Sequence, residues 1–304
     1  MKLKKYRELR LPTKTQKGKK MGNKIEDQEA IKELNEVVLA SMKKCKGKSW
    51  TPPFVGRKGL GYNMFTNHTL TGGNQIIAMF LGEDDRWATF GALKKNGLRW
   101  KKGSKAVTFI RPIIITKDKK TGELLKEPIF VGFTTYPMIN GSDIEGIHDE
   151  EPKEEVTLEE RHLKIDKVVE SLGMDIRHSE MGECSYSPKK DYVHMPNKQN
   201  FKSVDAYYSV LFHEIAHATG HKSRLNREEK NYAFEELIAE LSSMYLSVHF
   251  GISFGPTKDN ATYLNSWIEA LGNDEAFIWK ASTKAMKVVN YVLKERREKL
   301  QKAA

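Results

Sequence analysis

Cysteine is nearly absent from this chain: Cys45 and Cys184 are the only two in 304 residues. One possible pair makes a poor disulfide framework, and the spacing fits no zinc–thiolate motif. A reducing, cytoplasmic compartment is therefore expected. Long apolar runs are absent too. None approaches the roughly 18 residues that span a bilayer, so no membrane partner is expected. The opening stretch MKLKKYRELRLPTKTQKGKK has basic residues but no apolar core behind them, unlike a secretory signal. No internal repeat is present. No helix-turn-helix or zinc-finger spacing occurs, which argues against sequence-specific reading of duplex DNA.

What is present is enough for two ordinary cores. Hydrophobic residues make up 39% and aromatics 10%, with 30% charged, and this length is a prior for about two domains. The net charge of +11 is unevenly placed. Residues 1–150 hold 29 Lys and Arg against 16 Asp and Glu, a net of +13, and residues 151–304 hold 22 against 24, a net of −2. A basic half of this kind points to a polyanion, with nucleic acid favoured over a membrane surface.

Residues 1–24 carry ten Lys or Arg and one Glu without apolar periodicity, and read as a disordered basic tail. Apolar residues from Ile31 to Met42 follow helical spacing. Further helices are expected at Gly73–Leu81 and from about Thr89. Strands are expected at 105–115 and 129–136, joined by the turn KDKKTGEL. The acidic, Pro-containing stretch HDEEPKEEV (148–156) marks the boundary. The expected organisation is a small α+β domain over 25–148, a linker at 149–156, and a second domain over 157–304. The second domain opens with the capping box Thr157-x-x-Glu160 and a helix ending at Gly173. Short strands near 175–178, 184–186 and 192–195 form a small antiparallel sheet. The remainder is mostly helix, at about 203–219, 231–249, 260–271 and 274–298. Gly220, Gly251 and Gly272 stand at positions for C-terminal caps.

His213-Glu214-Ile215-Ala216-His217 is an HExxH motif on one of these helices. Histidines four apart face the same side and can bind one Zn2+, while Glu214 is placed to take a proton from water at the metal. A catalytic zinc needs a third protein ligand. Glu236 on the next helix is the first choice, with Glu240 one turn on as a carboxylate that orients a ligand histidine. His221 and Glu235 are the rivals. Gly220 is expected to turn His221 away, and Glu235 points to a different side of its helix. The extended HExxHxxGxxH pattern matches through Gly220 but ends on Ser223, so that class fails. Tyr192 and His194 alternate onto one face of a strand near the motif and read as solvent-facing.

The segments LFHEIAHATGHKSRLNR (211–227) and YAFEELIAELSSMYL (232–246) resemble the ArdC family of antirestriction proteins, found on conjugative plasmids, phages and other mobile elements. YSPKKDYVHMPNKQNF (186–201), TYLNSWIEAL (262–271), SWTPPF (49–54), DRWATFGALKKNGLRWKKGSKA (85–106) and INGSDIEGI (139–147) extend the resemblance over nearly the whole chain. It implies an N-terminal domain that binds single-stranded DNA and a C-terminal zincin-like, gluzincin-type metallopeptidase domain in a bacterial host. It also implies protection of entering DNA from host restriction, with a host restriction component as a possible protein substrate. The residues of the first half agree independently, since single strands are held by basic grooves with aromatic faces. Arg57, Lys58, Arg99, Trp100, Lys101, Lys102 and Lys105 are the candidate DNA contacts. Trp100 is the stacking residue, and Trp87 and Phe90 read as core. The rival reading is a non-catalytic protein that coats the strand or occludes the nuclease, with a structural zinc domain. A nuclease or relaxase lacks a clustered acidic or nucleophilic site in the basic half.

Overall fold

A computed structural model describes residues 24–43, 59–118, 121–147, 156–254, 260–274 and 276–303. Nearly all of the expected tail 1–24 and linker 149–156 lies outside the described residues, as do Arg57 and Lys58. The chain divides into two compact units, 24–38 with 61–147 and 39–43 with 59–60 and 156–303, so the division falls after Val38, within the first helix.

The first unit contains most of α1 (Lys24–Lys43), then β1 (Tyr62–Asn63), α2 (Gly73–Leu81), β2 (Arg86–Ala88), α3 (Phe90–Lys95), β3 (Val107–Lys117) and β4 (Leu124–Asn140). Ile31, Leu34 and Val38 of α1 are buried at the spacing that the sequence pattern requires. α3 starts because the Thr89 hydroxyl accepts a hydrogen bond from the Ala92 amide. The β-branched run of β3 pairs antiparallel with β4 in a long ribbon. The sheet order is β1-β2-β4-β3, with β1 and β2 parallel. Two- and three-residue strands such as β1 and β2 have no periodicity of their own and were not expected. Trp87 is fully buried, edge-on to Phe109 with ring centroids 4.9 Å apart. Phe90 packs at the margin of a core of Ala88, Leu93, Ile139 and Ile144.

One amide ties this unit's turns together. Asn140 Oδ1 accepts from the amides of Glu83 (3.1 Å) and Asp84 (3.0 Å), and Nδ2 donates to the Asp84 carbonyl at 2.7 Å and the Arg86 carbonyl at 3.3 Å. The chain then turns through Gly141–Asp143, where the Asp84 carboxylate lies so close that a Cβ on Gly141 would meet it at 2.7 Å.

The second unit comprises α4 (Leu158–Leu172), β5 (Asp175–Ser179), β6 (Ser185–Ser187), β7 (Tyr192–Pro196), α5 (Val204–Thr219), α6 (Tyr232–Phe250), α7 (Asn260–Asn273) and α8 (Phe277–Ala303). The α4 capping box forms in both directions, and the helix ends at Gly173 in the left-handed conformation, φ 62°. Gly251 ends α6 in the same way, φ 65°. Gly220 instead stays right-handed, and Gly272 lies inside α7. The expected small sheet is present, but one of its pairings is parallel. β7 lies between β5, which runs parallel to it, and β6, which runs antiparallel. The short 188–191 turn joins β6 to β7 as a hairpin, which leaves β5 to pair on the far side.

α6 is buried nearly all round, with Leu237, Ile238, Leu241, Met244 and Tyr245 enclosed by its neighbours. It packs against α5, α7 and α8. Small side chains meet where α5 and α6 touch, and the Ser243 hydroxyl donates to the Ser209 carbonyl at 2.6 Å.

Candidate metal centre and basic face

Two residue pairs, each spaced one helical turn, face one another across the α5–α6 contact: His213 with His217, and Glu236 with Glu240. Their side chains, except that of His217, are almost wholly buried. His213 Nε2 lies 3.1 Å from His217 Nε2 and 3.4 Å from Glu236 Oε2, and His217 Nε2 lies 3.4 Å from Glu236 Oε1. Nitrogen ligands about 2.0–2.1 Å from a tetrahedral ion stand roughly 3.3 Å from each other. The two imidazole nitrogens and the Glu236 carboxylate are thus gathered at close to that spacing. Among the described residues, this is the one cluster of His, Cys, Asp or Glu whose donor atoms converge within 4.8 Å. Two imidazoles and a carboxylate are a donor set for a divalent first-row metal.

The outer nitrogens of both rings are held by carboxylates. His213 Nδ1 faces Glu240 Oε2 at 3.2 Å, and His217 Nδ1 faces Glu235 Oε1 at 3.3 Å. Glu240 lies behind His213, and Glu235, a rival ligand by sequence, lies behind His217. Burial alone would lower the His213 pKa, but Glu236 and Glu240 outweigh burial and raise it to about 10. Burial would raise Glu236. The His213 and His217 imidazoles, with a hydrogen bond from the Tyr232 hydroxyl, hold it below the ordinary carboxylate value. For Glu214 burial prevails and its pKa is raised, although both histidines and the backbone N–H of Tyr186 oppose the shift.

The connection from α5 to α6 anchors this arrangement through two arginines. Arg224 donates to both oxygens of Asp191, at 2.8 and 3.0 Å, and to the Ala218 carbonyl at 2.9 Å. Asp191, at φ 53°, also accepts from the Tyr186 hydroxyl at 2.8 Å. Burial and that bond push the Tyr186 phenol up to about 12. Tyr186 is thus fixed at its side chain while its backbone N–H holds Glu214. Arg227 donates to Glu235 through Nε (2.9 Å) and Nη2 (2.5 Å), and to the Ala216 carbonyl at 2.9 Å. Neither arginine was singled out in the sequence. The available signal was the pair of cations at 224 and 227, directly after the motif.

The rival ligand His221 is held elsewhere, with Nδ1 against Ser223 Oγ at 2.8 Å and Asp191 Oδ2 at 3.5 Å. His194, expected to face solvent, has both ring nitrogens engaged, with Ser179 Oγ at 2.8 Å and the Glu183 carbonyl at 2.7 Å. Tyr192 lies under the Arg177 guanidinium, 4.1 Å from its ring centroid.

In the first unit, Arg99, Lys101, Lys102 and Lys105 are exposed. Trp100 is 41% exposed and rests edge-on against Phe90, centroids 4.8 Å apart. The segment is pinned at its back: Trp100 bridges to Ile144, the Lys101 amide donates to the Asp143 carbonyl at 2.8 Å, and Lys101 Nζ donates to the Ser142 carbonyl at 2.7 Å. Lys101 is therefore partly engaged by the protein itself.

Residues 28–168 match the N-terminal domain of anti-restriction factor ArdC, and residues 163–284 match the zincin-like metallopeptidase family. The chain belongs to the ArdC antirestriction family. The crystal structure of antirestriction protein ArdC from the R388 plasmid, in metal-free form, superposes with a TM-score of 0.71 at 28% identity, covering 88% of this chain and 98% of that one. Its Mn(II)-bound form gives 0.70 at 27% identity, covering 87% and 97%. DNA primase TraC of Escherichia coli is 31% identical over 279 residues, 84% of this chain but 26% of the primase. This ArdC-family chain thus spans about a quarter of that relative. No helix among its described residues is long and apolar enough to cross a membrane.

Proposed function

We propose that this chain binds single-stranded DNA through its first domain and hydrolyses a peptide bond at a zinc site in its second. In a bacterial cytoplasm the outcome is protection of a mobile element's entering DNA from host restriction. The observation that carries the enzymatic part is the convergence of His213 Nε2 and His217 Nε2, 3.1 Å apart, on the Glu236 carboxylate, with one oxygen 3.4 Å from each ring. His213, His217 and Glu236 hold one Zn2+, and Glu240 orients His213. When bound, the ion polarises a carbonyl and lowers the pKa of water. Glu214, in a dry setting that raises its pKa, takes a proton from the attacking water and returns it to the leaving amine. The Tyr186 N–H orients that carboxylate.

For DNA, the support is an exposed indole bordered by Arg99, Lys101, Lys102 and Lys105 on a basic unit. Bases stack on such rings whatever their identity, and the cations follow the backbone. Arg57 and Lys58 belong to the same proposal by sequence.

The experiment compares Glu214→Gln with His217→Ala. Glu214→Gln keeps shape and metal but cannot act as a base. His217→Ala should lose most of the metal in elemental analysis. If the reading is right, neither protects unmodified DNA from restriction in cells. Wild-type protection by metal-loaded Glu214→Gln would instead establish the non-catalytic coating protein.

A further inference from the structure

The α6 carboxylate immediately before Glu236 faces the back of the His217 ring. An ionised carboxylate can only accept a hydrogen bond. Glu235 Oε1, 3.3 Å from His217 Nδ1, therefore favours the tautomer with the proton on Nδ1 and the lone pair on Nε2. Nε2 is the atom that points at His213 and Glu236. Glu235 is itself held in place: Arg227 grips both its oxygens, at 2.5 and 2.9 Å, and the same guanidinium donates to the Ala216 carbonyl at 2.9 Å and the Thr219 hydroxyl at 3.2 Å. Both side chains are largely buried, 8% exposed for Arg227 and 16% for Glu235.

We infer that Glu235, locked by Arg227, is a positioning residue that fixes the tautomer and orientation of His217 and thereby sets the affinity of the site for its metal. Arg227 spans the three parts that must stay in register: the last turn of α5, the connection, and the first turn of α6. With Glu240 behind His213, each histidine then has its own orienting carboxylate. The two differ in how they are held. Glu240 is enclosed within the helix contact, whereas Glu235 depends on a cation supplied from a loop. The inference rests on the proposed assignment of His217 as a ligand.

Glu235→Gln separates orientation from bulk. The amide keeps the side chain's size but leaves one oxygen for three donors, Arg227 Nη2, Arg227 Nε and His217 Nδ1–H, and removes the charge that holds the ring proton on Nδ1. Two measurements on the full chain test this. The first is titration with Zn2+ alone against a chromophoric chelator. Loss of an orienting partner typically weakens metal affinity about 10–100-fold, and Glu235→Gln should fall in that range. Arg227→Lys, which keeps the charge but not the two-point grip, should lie between it and wild type. The second is the 15N shift pattern of the His217 ring in protein stripped of metal by chelator. It should read Nδ1–H in wild type and a mixture of Nδ1–H and Nε2–H in Glu235→Gln.

Unchanged affinity with an unchanged tautomer overturns the inference. So does weakened affinity in a folded variant whose His217 remains protonated at Nδ1, because Glu235 then acts only as structure. His217→Ala is the control for the underlying reading. If it binds Zn2+ as wild type does, the ligand assignment fails, and the ring tautomer still decides what Glu235 does.

Discussion

Replacing Asn140 with alanine should destabilise the first unit by about 2–3 kcal/mol. The side chain is almost wholly buried and makes four bonds to backbone groups of the 83–86 turn. Each net hydrogen bond is worth about 1 kcal/mol, with a larger penalty of about 1–3 kcal/mol where the abandoned partner stays buried. The bond to the Arg86 carbonyl is long at 3.3 Å, and Glu83 is exposed enough for water to replace its partner. The N–H and C=O of Asp84 therefore carry most of the cost. Asn140→Asp should be no better, because a carboxylate oxygen would then face the Asp84 carbonyl now accepting a bond at 2.7 Å. Urea unfolding followed by circular dichroism gives the stability change. Hydrogen exchange locates it: the amides of Glu83 and Asp84 should lose protection first. The amides of Lys101 and Glu145 should follow, since they bond to the Asp143 and Arg99 carbonyls just beyond the latch. A loss below about 0.5 kcal/mol, the range of an ordinary surface change, would refute the assignment of Asn140 as the tie between these turns.

Other expectations are shorter. Trp100→Ala should weaken single-strand binding by about 1–3 kcal/mol, measured by fluorescence anisotropy, while the unit stays folded. Loss of the fold would return this indole, despite its exposure, to the core. Gly82→Ala should destabilise the first unit by more than about 1 kcal/mol in thermal melts, because a Cβ there would stand 2.6 Å from the Trp87 ring and 2.9 Å from the Ala78 carbonyl. Asp205 is held below its ordinary pKa: burial opposes this, but the Ser253 amide and His162 prevail. A depressed carboxylate pKa adds stability above the unfolded value of about 3.9, and that stability is lost as pH falls through the folded value. Asp205→Asn should therefore be less stable than wild type at pH 7, the gap closing in acid melts below about pH 4.

Local rules carried most of this fold. Thr157 and Glu160 form their box because both partners lie within one turn, and HExxH presents both rings on one side for the same reason. What was not legible depends on distant approach. The place of Glu235 behind His217 is set by how closely α6 lies against α5, which no helical spacing contains. Lys101 looked like a free cation in its own stretch, yet its ammonium reaches a carbonyl forty-one residues away. β1 and β2 exist through pairing alone. The parallel β5–β7 pair was missed because the hairpin at β6 is local and the crossing from β5 is not.

The connection between α5 and α6 reverses the usual tolerance of surface loops to changes in length. Arg224 and Arg227 are three residues apart, and each is tied to a different neighbour: one to the β6–β7 turn that presents Tyr186 to Glu214, the other to the carboxylate behind His217. A single residue inserted between Gly220 and Arg227 would pull one guanidinium or the other out of reach. The loss would fall on Glu214 or on His217 without touching either. Chain length here is thus as much a part of the site as the side chains are.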